Sequence, residues 1–330
     1  MKKIAFMGSD PIAIPLLNYL LKNQETFDFQ LKGIISQPDK PSGRGKKVAP
    51  NLISQWGLDQ NLFLLRPDKP TKLEYEWVSK EKIDLVLVMA YGHIIRKDFL
   101  QLPPLGMLNF HASLLPKYRG ASPIETAIAR GDNKTGVTLM EMVSKMDAGG
   151  ILDQEEVLID YADNSASIRD KISKACIPLI RRNLLKIFNN DMIFAPQNDK
   201  RATYARKIFK DDGWIDFNLS AAEIYNRSRA FSTWPGSFFE YNDVVIKVGT
   251  CEALDEPDDH EPGILIDVNS SGLLVSTSDG ILRIKSLQRP GGKMMSFTDF
   301  LRGFEIPTGS RLVGKDSIPL VSIKPFQYNR

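Results

Sequence analysis

Lys3-Ile-Ala-Phe-Met-Gly-Ser-Asp-Pro-Ile-Ala-Ile-Pro-Leu-Leu-Asn-Tyr-Leu-Leu21 joins a short apolar run to a segment of helical spacing, with only a turn between them. Residues 3–7 have the length of a buried strand, and residues 11–21 predict a helix. Ser9 or Asp10 is a suitable N-cap, and Pro11 suits the first helical position, so the helix should begin directly after the strand. A strand that passes straight into a helix is typical of a parallel sheet with crossover helices.

The same alternation continues along the first part of the chain, which predicts a Rossmann-like, mostly parallel α/β sheet. Further strands are predicted at 31–35, 83–89, 106–111 and 135–143, and further helices at 72–80 and 165–188. After residue 207 the pattern changes to closely spaced short strands at 244–248, 263–268, 272–277 and 281–287, which predicts a small β-barrel. We therefore expect one domain over residues 1–189, an irregular linker over 190–207 and a second domain over 208–330.

Composition excludes several classes of protein. The chain has 330 residues, of which 42% are hydrophobic and 25% charged, as in ordinary globular proteins. Its two cysteines and three histidines support neither a disulfide framework nor a cysteine-rich zinc site, and we expect no metal. The longest apolar run, Leu85 to Tyr91, is far below the roughly 18 residues that indicate a membrane span. We expect a cytoplasmic monomer that does not associate with membranes.

Asn109 and His111 are the first candidates for chemistry, because residues i and i+2 of a strand share one face. They end a predicted strand, and ligands of open α/β sheets bind at the carboxyl ends of the strands. Asp147 follows the next predicted strand in a glycine-rich turn; if that strand is parallel to the first, Asp147 should lie beside His111. The alternatives are a buried polar pair satisfied by backbone and an ordinary turn aspartate. No GxGxxG, GxSxG or GxxxxGK[ST] motif competes with this site.

Cations are concentrated in two places. Residues 37–47 carry four of them without regular structure, namely Lys40, Arg44, Lys46 and Lys47, and such a loop suits phosphate backbones. Arg283, Lys285, Arg289, Lys293 and Arg302 form a second group in the C-terminal part, which we expect to face only one acid, Asp299, with six acids on an exposed loop over 252–261. A solvated surface is the alternative for both groups.

Together, several segments closely resemble the methionyl-tRNA formyltransferase family, over nearly the whole chain. The shared motifs are Gln37-Pro-Asp-Lys-Pro41, Gly43-Arg-Gly-Lys-Lys47, Ala90-Tyr-Gly92, Asn109-Phe-His-Ala-Ser-Leu-Leu-Pro116, Tyr118-Arg-Gly120, Gly136-Val-Thr-Leu-Met140, Met146-Asp-Ala-Gly149 and Arg229-Ala-Phe-Ser-Thr-Trp-Pro235. The chain departs from the family pattern at Gly150, where many relatives have an acid, and at Thr233, where a proline often stands.

The resemblance implies a Rossmann-like formyltransferase domain, an OB-like C-terminal domain that binds tRNA, and formyl transfer from 10-formyltetrahydrofolate to the α-amine of methionyl initiator tRNA. It implies catalysis by Asn109, His111 and Asp147, folate binding by Ser113, Leu114, Leu115 and Pro116, and entry of the basic loop around Arg44 into the acceptor end of the tRNA. We add Met89 and Tyr91 as walls for the pterin ring, and Arg289 and Lys293 as further tRNA contacts.

The residue types fit this chemistry. Attack of an amine on a formyl carbon builds an oxyanion, to which Asn109 and His111 can donate, while Asp147 orients His111 and helps remove the amine proton. The mechanism requires neither a metal nor a covalent intermediate. Two other functions stay open from the residues: a formyltransferase acting on an amino sugar or a phosphoribosyl amine, and a non-catalytic RNA-binding protein.

Overall fold

The computed structural model describes residues 1–42, 47–68 and 72–326, apart from the side chains of Ser42 and Lys47. Its strands, in chain order, are β1 Lys2–Gly8, β2 Phe29–Ile35, β3 Lys40–Ser42, β4 Lys47–Ala49, β5 Phe63–Leu65, β6 Leu85–Met89, β7 Met107–His111, β8 Arg119–Gly120, β9 Lys134–Glu141, β10 Ile151–Leu158, β11 Tyr204–Ala205, β12 Ser237–Tyr241, β13 Val244–Val248, β14 Cys251–Leu254, β15 Leu265–Asn269, β16 Gly272–Ser276, β17 Ile281–Ile284, β18 Ser286–Gln288, β19 Met295–Ser296 and β20 Val321–Ser322. Its α-helices are α1 Ile14–Lys22, α2 Leu52–Asp59, α3 Lys72–Glu81, α4 Lys97–Leu100, α5 Pro123–Ala129, α6 Ser165–Phe188, α7 Ala221–Ala230 and α8 Phe297–Gly303, with 3₁₀ turns at Pro11–Ala13, Asp199–Arg201 and Lys210–Gly213.

The first helix begins as the sequence predicts. Asp10 accepts a hydrogen bond from the Ile12 amide at 3.0 Å, and Pro11 occupies the first position of a 3₁₀ turn that leads into α1. Proline has no amide to leave unsatisfied there, and its φ is already helical. The cap therefore stops β1 at Gly8 and turns the chain immediately onto one face of the sheet.

A seven-stranded sheet in the order β10-β9-β7-β6-β1-β2-β5 forms the centre of the first half of the chain. The five strands β5, β2, β1, β6 and β7 run parallel, which confirms the predicted mostly parallel sheet. The apolar side chains of β1 and β6 are buried almost completely, as in a sheet that is covered on both faces. The carboxyl ends of β1, β6 and β7 consequently lie side by side at one edge.

The predicted direction of the strand after residue 134 is wrong. β9 pairs antiparallel with β7, so that His111 faces Thr138 and Leu108 faces Glu141, and β10 returns antiparallel to β9. Residues 135–140 are all buried. A strand buried on both faces has the same apolar pattern in either direction, so the sequence pattern could not show the reversal.

Compact packing divides the chain into two units that interleave along the sequence. One comprises Met1–Gly120, Lys134–Leu158 and Arg169–Tyr204, and the other comprises Ala121–Asn133, Ile159–Ile168 and Ala205–Arg330. A division of the chain into one N-terminal and one C-terminal stretch does not describe these interleaved units. The predicted domains over 1–189 and 208–330 stay a prediction. Most of the predicted linker belongs to the first unit, where Ile151 and Ala195 exchange two backbone hydrogen bonds of 2.8 Å.

The second unit contains two four-stranded antiparallel sheets, β12-β13-β18-β19 and β14-β17-β16-β15. Phe239 and Ile246 of the first sheet and Leu273 and Leu282 of the second are fully buried in a single hydrophobic core. The predicted strand over 281–287 is two strands, β17 and β18, which belong to different sheets. The OB-like barrel stays a prediction. Among the described residues, no helix has the length and apolar character needed to cross a membrane.

Candidate active site

Strand β7 carries Asn109 and His111 to the edge where the parallel strands end. Asn109 pairs with Val88 of β6 on one side and with Met140 of β9 on the other, so its position is fixed in the middle of the sheet. Asn109 is half-buried, and His111 is 6% exposed. Their spacing of two residues places both polar groups on the same face, as the sequence predicts.

The imidazole of His111 has a different neighbour at each nitrogen. Nε2 lies 2.9 Å from the carbonyl oxygen of Tyr118, and Nδ1 lies 3.7 Å from Oδ1 of Asp147. A carbonyl can only accept, so the tautomer that satisfies it carries its proton on Nε2 and leaves a lone pair on Nδ1. Nδ1 can then receive a proton, and the Asp147 carboxylate can stabilise the imidazolium that results.

Asp147 reaches His111 by a route that the sequence analysis did not foresee. Since β9 is antiparallel to β7, its carboxyl end lies beside Leu108, and the loop over residues 142–150 brings Asp147 back to His111. Asp147 has φ +48°, and its Oδ2 accepts a hydrogen bond of 2.8 Å from the Gly120 amide. The predicted contact is present, whereas the parallel strand pairing from which it was predicted is not.

The segment Ser113–Pro116 is held by two residues that the sequence analysis missed. The Thr138 hydroxyl donates to the Ser113 carbonyl at 2.6 Å and accepts from the Leu115 amide at 3.1 Å. Gln154 donates to the Leu115 carbonyl at 3.0 Å and to the Thr138 hydroxyl at 2.8 Å. A threonine in an otherwise apolar buried strand was the signal in the sequence, because a buried hydroxyl requires a partner.

Met89 and Tyr91 are part of the hydrophobic interior of the first unit. They are 1% and 3% exposed, and Tyr91 packs among apolar residues such as Met7 and Ile35. Burial raises the pKa of Tyr91 well above its ordinary value. Their role in folate binding stays a prediction, and packing in the core accounts for their burial by itself.

The basic loop is described only in part. Arg44 and Lys46 lie outside the described residues, as does the side chain of Lys47. Lys40 donates to Oε1 of Gln37 at 2.8 Å, and its strand β3 pairs with β4 in a short hairpin. Before the hairpin, Gln37 is fixed through its side chain, which donates to the Tyr91 carbonyl at 2.9 Å, and through its amide, which donates to Ser9 Oγ at 3.0 Å.

The C-terminal cations differ from the prediction. Arg283 and Lys285 both pair with Glu252, which lies on strand β14 and not on an exposed loop. The expectation of a single neighbouring acid is therefore wrong, because the antiparallel pairing of β14 with β17 places Glu252 opposite Arg283. Arg289 and Lys293 are exposed.

Two departures from the family pattern have local structural explanations. A Cβ at Gly150 would lie 2.6 Å from Cβ of Phe194, so the close approach of these two backbones requires glycine. Thr233 lies before the cis Trp234–Pro235 bond, and its Oγ1 is 3.2 Å from Oγ of Ser165. Within the described residues, no three His, Cys, Asp or Glu side chains group closely enough to hold a metal ion.

Comparison with known proteins identifies the family to which the chain is similar. Residues 2–181 match the family model for formyl transferase, and residues 207–305 match the model for its C-terminal domain. A methionyl-tRNA formyltransferase of Caldicellulosiruptor saccharolyticus is 37% identical over 94% of this chain and 99% of its own length. One of Francisella tularensis subsp. mediasiatica is 39% identical over 93% of this chain and 97% of its own length.

Solved structures support the fold at lower identity. An N-formyltransferase of Helicobacter canadensis, in complex with folinic acid and dTDP-3-aminofucose, has a TM-score of 0.64 at 21% identity and covers 86% of this chain and 98% of its own. HypX of Aquifex aeolicus in complex with tetrahydrofolic acid has a TM-score of 0.59 at 16% identity, and the match covers 90% of this chain and 46% of that one. The two matching domain models and the near full-length identity show that the chain belongs to the methionyl-tRNA formyltransferase family.

Proposed function

We propose that this protein transfers the formyl group of 10-formyltetrahydrofolate to the α-amine of methionyl initiator tRNA, a reaction that supports translation initiation. The observation that carries the proposal is the placement of His111 between the Tyr118 carbonyl and the Asp147 carboxylate, with Asn109 on the same face of β7. The near full-length relatives named methionyl-tRNA formyltransferase support the choice of acceptor.

Each of the three side chains has a separate task. The Asn109 amide donates to the oxyanion that forms when the amine nitrogen bonds to the formyl carbon. His111 receives the proton of that amine at Nδ1, while Nε2 remains bonded to the Tyr118 carbonyl. Asp147 stabilises the imidazolium, which then gives the same proton to the folate nitrogen as the bond of that nitrogen to the formyl carbon breaks, so that His111 returns to its neutral form.

The remaining contacts follow from the same proposal. The folate is bound by the segment that Thr138 fixes, namely Ser113, Leu114, Leu115 and Pro116. Met89 and Tyr91 lie behind the pterin ring. Lys40, Arg44, Lys46, Lys47, Arg289 and Lys293 contact tRNA phosphates, and an OB-like domain over residues 208–330 supports that binding.

The choice of acceptor is tested by formyl transfer with purified protein and 10-formyltetrahydrofolate. We expect product with methionyl initiator tRNA and none with a nucleotide-linked amino sugar or a phosphoribosyl amine. Turnover with either small acceptor and none with the tRNA would replace the proposed substrate. Failure to bind folate at all would reject catalysis and favour an RNA-binding protein.

The assignment of the site is tested by His111→Ala and Asn109→Ala. We expect each to lower the rate of formyl transfer by about 100-fold or more: Asn109→Ala removes an oxyanion donor, which costs about 2.7–4 kcal/mol of barrier, and His111→Ala removes a general base, which contributes about 10²–10⁴-fold. His260→Ala is the matched control, since this imidazole is 60% exposed and pairs with Asp258. Near-normal turnover of either site variant, with the fold intact by circular dichroism, contradicts the assignment.

A further inference from the structure

Gln197, in the segment that the sequence marks as a linker, joins a buried guanidinium to the backbone of the Asp147 loop. Its Oε1 accepts from Nε of Arg119 at 3.1 Å and from Nη2 at 2.8 Å. Its Nε2 donates to the carbonyl oxygens of Asp147 and Gly149, both at 2.8 Å. The side chain uses its acceptor and both of its donor hydrogens in these contacts.

The orientation of this amide is fixed by chemistry. Arg119 has only donors, so the oxygen of Gln197 must face the guanidinium and the nitrogen must face the two carbonyls. Arg119 is completely buried, and besides Gln197 its guanidinium contacts Tyr204 Oη at 3.3 Å and Oδ1 of Asp199 at 2.8 Å. Hydrogen bonds from Lys145 and Arg119 hold the pKa of Asp199 below its ordinary value, so its carboxylate stays charged beside Arg119.

The Asp147 backbone requires such support. Its φ of +48° is a conformation that side-chain-bearing residues adopt at a cost of about 1–3 kcal/mol, and surrounding contacts must maintain it. Gln197 binds the carbonyl of Asp147 itself and that of Gly149, two residues later. Arg119 precedes Gly120, whose amide holds the Asp147 carboxylate at 2.8 Å. The buried Arg119 and the half-buried Gln197 together therefore fix Asp147 on both the backbone and the carboxylate side.

We propose that Gln197, anchored by Arg119, is a positioning residue for formyl transfer: it holds the Asp147 loop so that the carboxylate faces Nδ1 of His111. The proposal rests on the proposed function for its catalytic consequence. Its structural part, the dependence of the Asp147 carboxylate on Gln197, stands independently of any substrate.

Gln197→Leu tests the catalytic part, because leucine keeps much of the volume and removes all four hydrogen bonds. We expect kcat to fall by about 10- to 100-fold, the scale of a displaced catalytic group, with the KM values for folate and tRNA unchanged. Asn198→Ala is the matched control, since this neighbouring amide caps only the 3₁₀ turn through the Lys200 amide. It should retain the wild-type kcat.

A double variant separates positioning from general damage. If Gln197 acts through Asp147, Gln197→Leu combined with Asp147→Asn should be no slower than Asp147→Asn alone. Losses that multiply in the double variant, or a raised KM with an unchanged kcat, would overturn the positioning role.

Hydrogen exchange of the Gly120 amide tests the structural part without any substrate. This amide donates to the Asp147 carboxylate, so its exchange should accelerate in Gln197→Leu, as it should in Asp147→Ala, which removes the acceptor, and stay slow in Asn198→Ala. If Gln197→Leu does not fold, Gln197→Glu keeps the acceptor for Arg119, loses only the two donated bonds and should show the same acceleration. If exchange of the Gly120 amide is unchanged in the folded Gln197 variant, the proposal is overturned. If the wild-type protein has no formyltransferase activity but exchange of the Gly120 amide is faster in the variant, only the proposed function is rejected.

Discussion

His111 shows how single backbone contacts determine the chemistry of this site. The Tyr118 carbonyl occupies Nε2, so the nitrogen free for proton transfer is Nδ1, which faces Asp147. Tyr118 itself has φ +58°, and its amide donates to Thr203 Oγ1 at 2.9 Å. A locally strained residue thus presents the acceptor that fixes the tautomer of the imidazole proposed to be catalytic.

Asn109 and His111 could be identified from the sequence because strand periodicity alone puts residues i and i+2 on one face. Gln197 could not, because its role depends on which backbone groups a distant segment leaves unsatisfied. Thr138 could be marked as a buried hydroxyl that needs a partner, but the sequence did not show that the partner is the Ser113 carbonyl. Long-range partners of this kind leave no periodic pattern in the sequence. The shared face of the candidate side chains was accordingly predictable from the sequence, whereas the contacts that hold them in place depend on how distant segments fold together.

Gly150→Ala should destabilise the protein, because the new Cβ would lie 2.6 Å from Cβ of Phe194 and neither backbone can withdraw freely. The expected loss in free energy of unfolding is about 1–3 kcal/mol, the usual scale of overpacking. Chemical denaturation measures it. Gly303→Ala is the matched control, since the atom nearest to its Cβ is a flexible Arg289 nitrogen at 3.7 Å. Phe194→Gly removes the opposing Cβ, so Gly150→Ala should cost less stability in the Phe194→Gly background than in the wild type, and an equal cost in both would contradict the explanation.

At the scale of elements, the parallel half of the sheet was predictable and the antiparallel edge was not. Local signals such as the Asp10 cap and the apolar runs locate β1, α1 and β6 closely. The direction of β9 depends on how the chain between β7 and β9 returns to the sheet. Because β9 is buried on both faces, its apolar pattern is the same for a parallel and an antiparallel strand. Asp147 nevertheless contacts His111, because the loop over 142–150 leads the chain from the end of β9 back to the end of β7.

Asn51 links the start of α2 to the base of the basic loop. Its Oδ1 caps α2 by accepting from the Ser54 amide at 3.0 Å, while its Nδ2 lies 3.2 Å from the Gln37 carbonyl. Asn51→Asp keeps the cap and removes the donor to Gln37. We expect a higher KM for tRNA with an unchanged KM for folate, because the loop loses one of the contacts that fix its starting residue.

Steady-state kinetics with each substrate varied in turn measures this effect. Asn198→Asp makes the same substitution at another cap residue and should leave both KM values unchanged. Equal increases in both KM values for Asn51→Asp would show that the change disturbs the first unit generally rather than the loop.

At the scale of the whole molecule, net charge does not by itself indicate which part would bind RNA. Residues 209–330 carry 13 Lys and Arg against 17 Asp and Glu, so the C-terminal part is acidic overall, although it matches the C-terminal formyl transferase model. The structure shows that some of its cations are already paired with acids. Glu252, for example, forms ion pairs with both Arg283 and Lys285. If this part binds tRNA phosphates as proposed, we expect it to do so through cations that remain exposed, of which Arg289 and Lys293 are the candidates.

Lys293→Ala should therefore weaken the use of tRNA and reduce its dependence on salt. Lys293 is exposed and has no ion pair among the residues that the structure describes, whereas Lys285 pairs with Glu252. Each phosphate contact that is lost lowers the slope of log KM against log salt concentration by about 0.7–0.9. Lys285→Ala removes the same charge from a neutralised site and serves as the matched control, with little change in slope. The KM for folate should stay constant in both variants, and equal slopes for the two lysine variants would place the tRNA phosphates elsewhere on the protein.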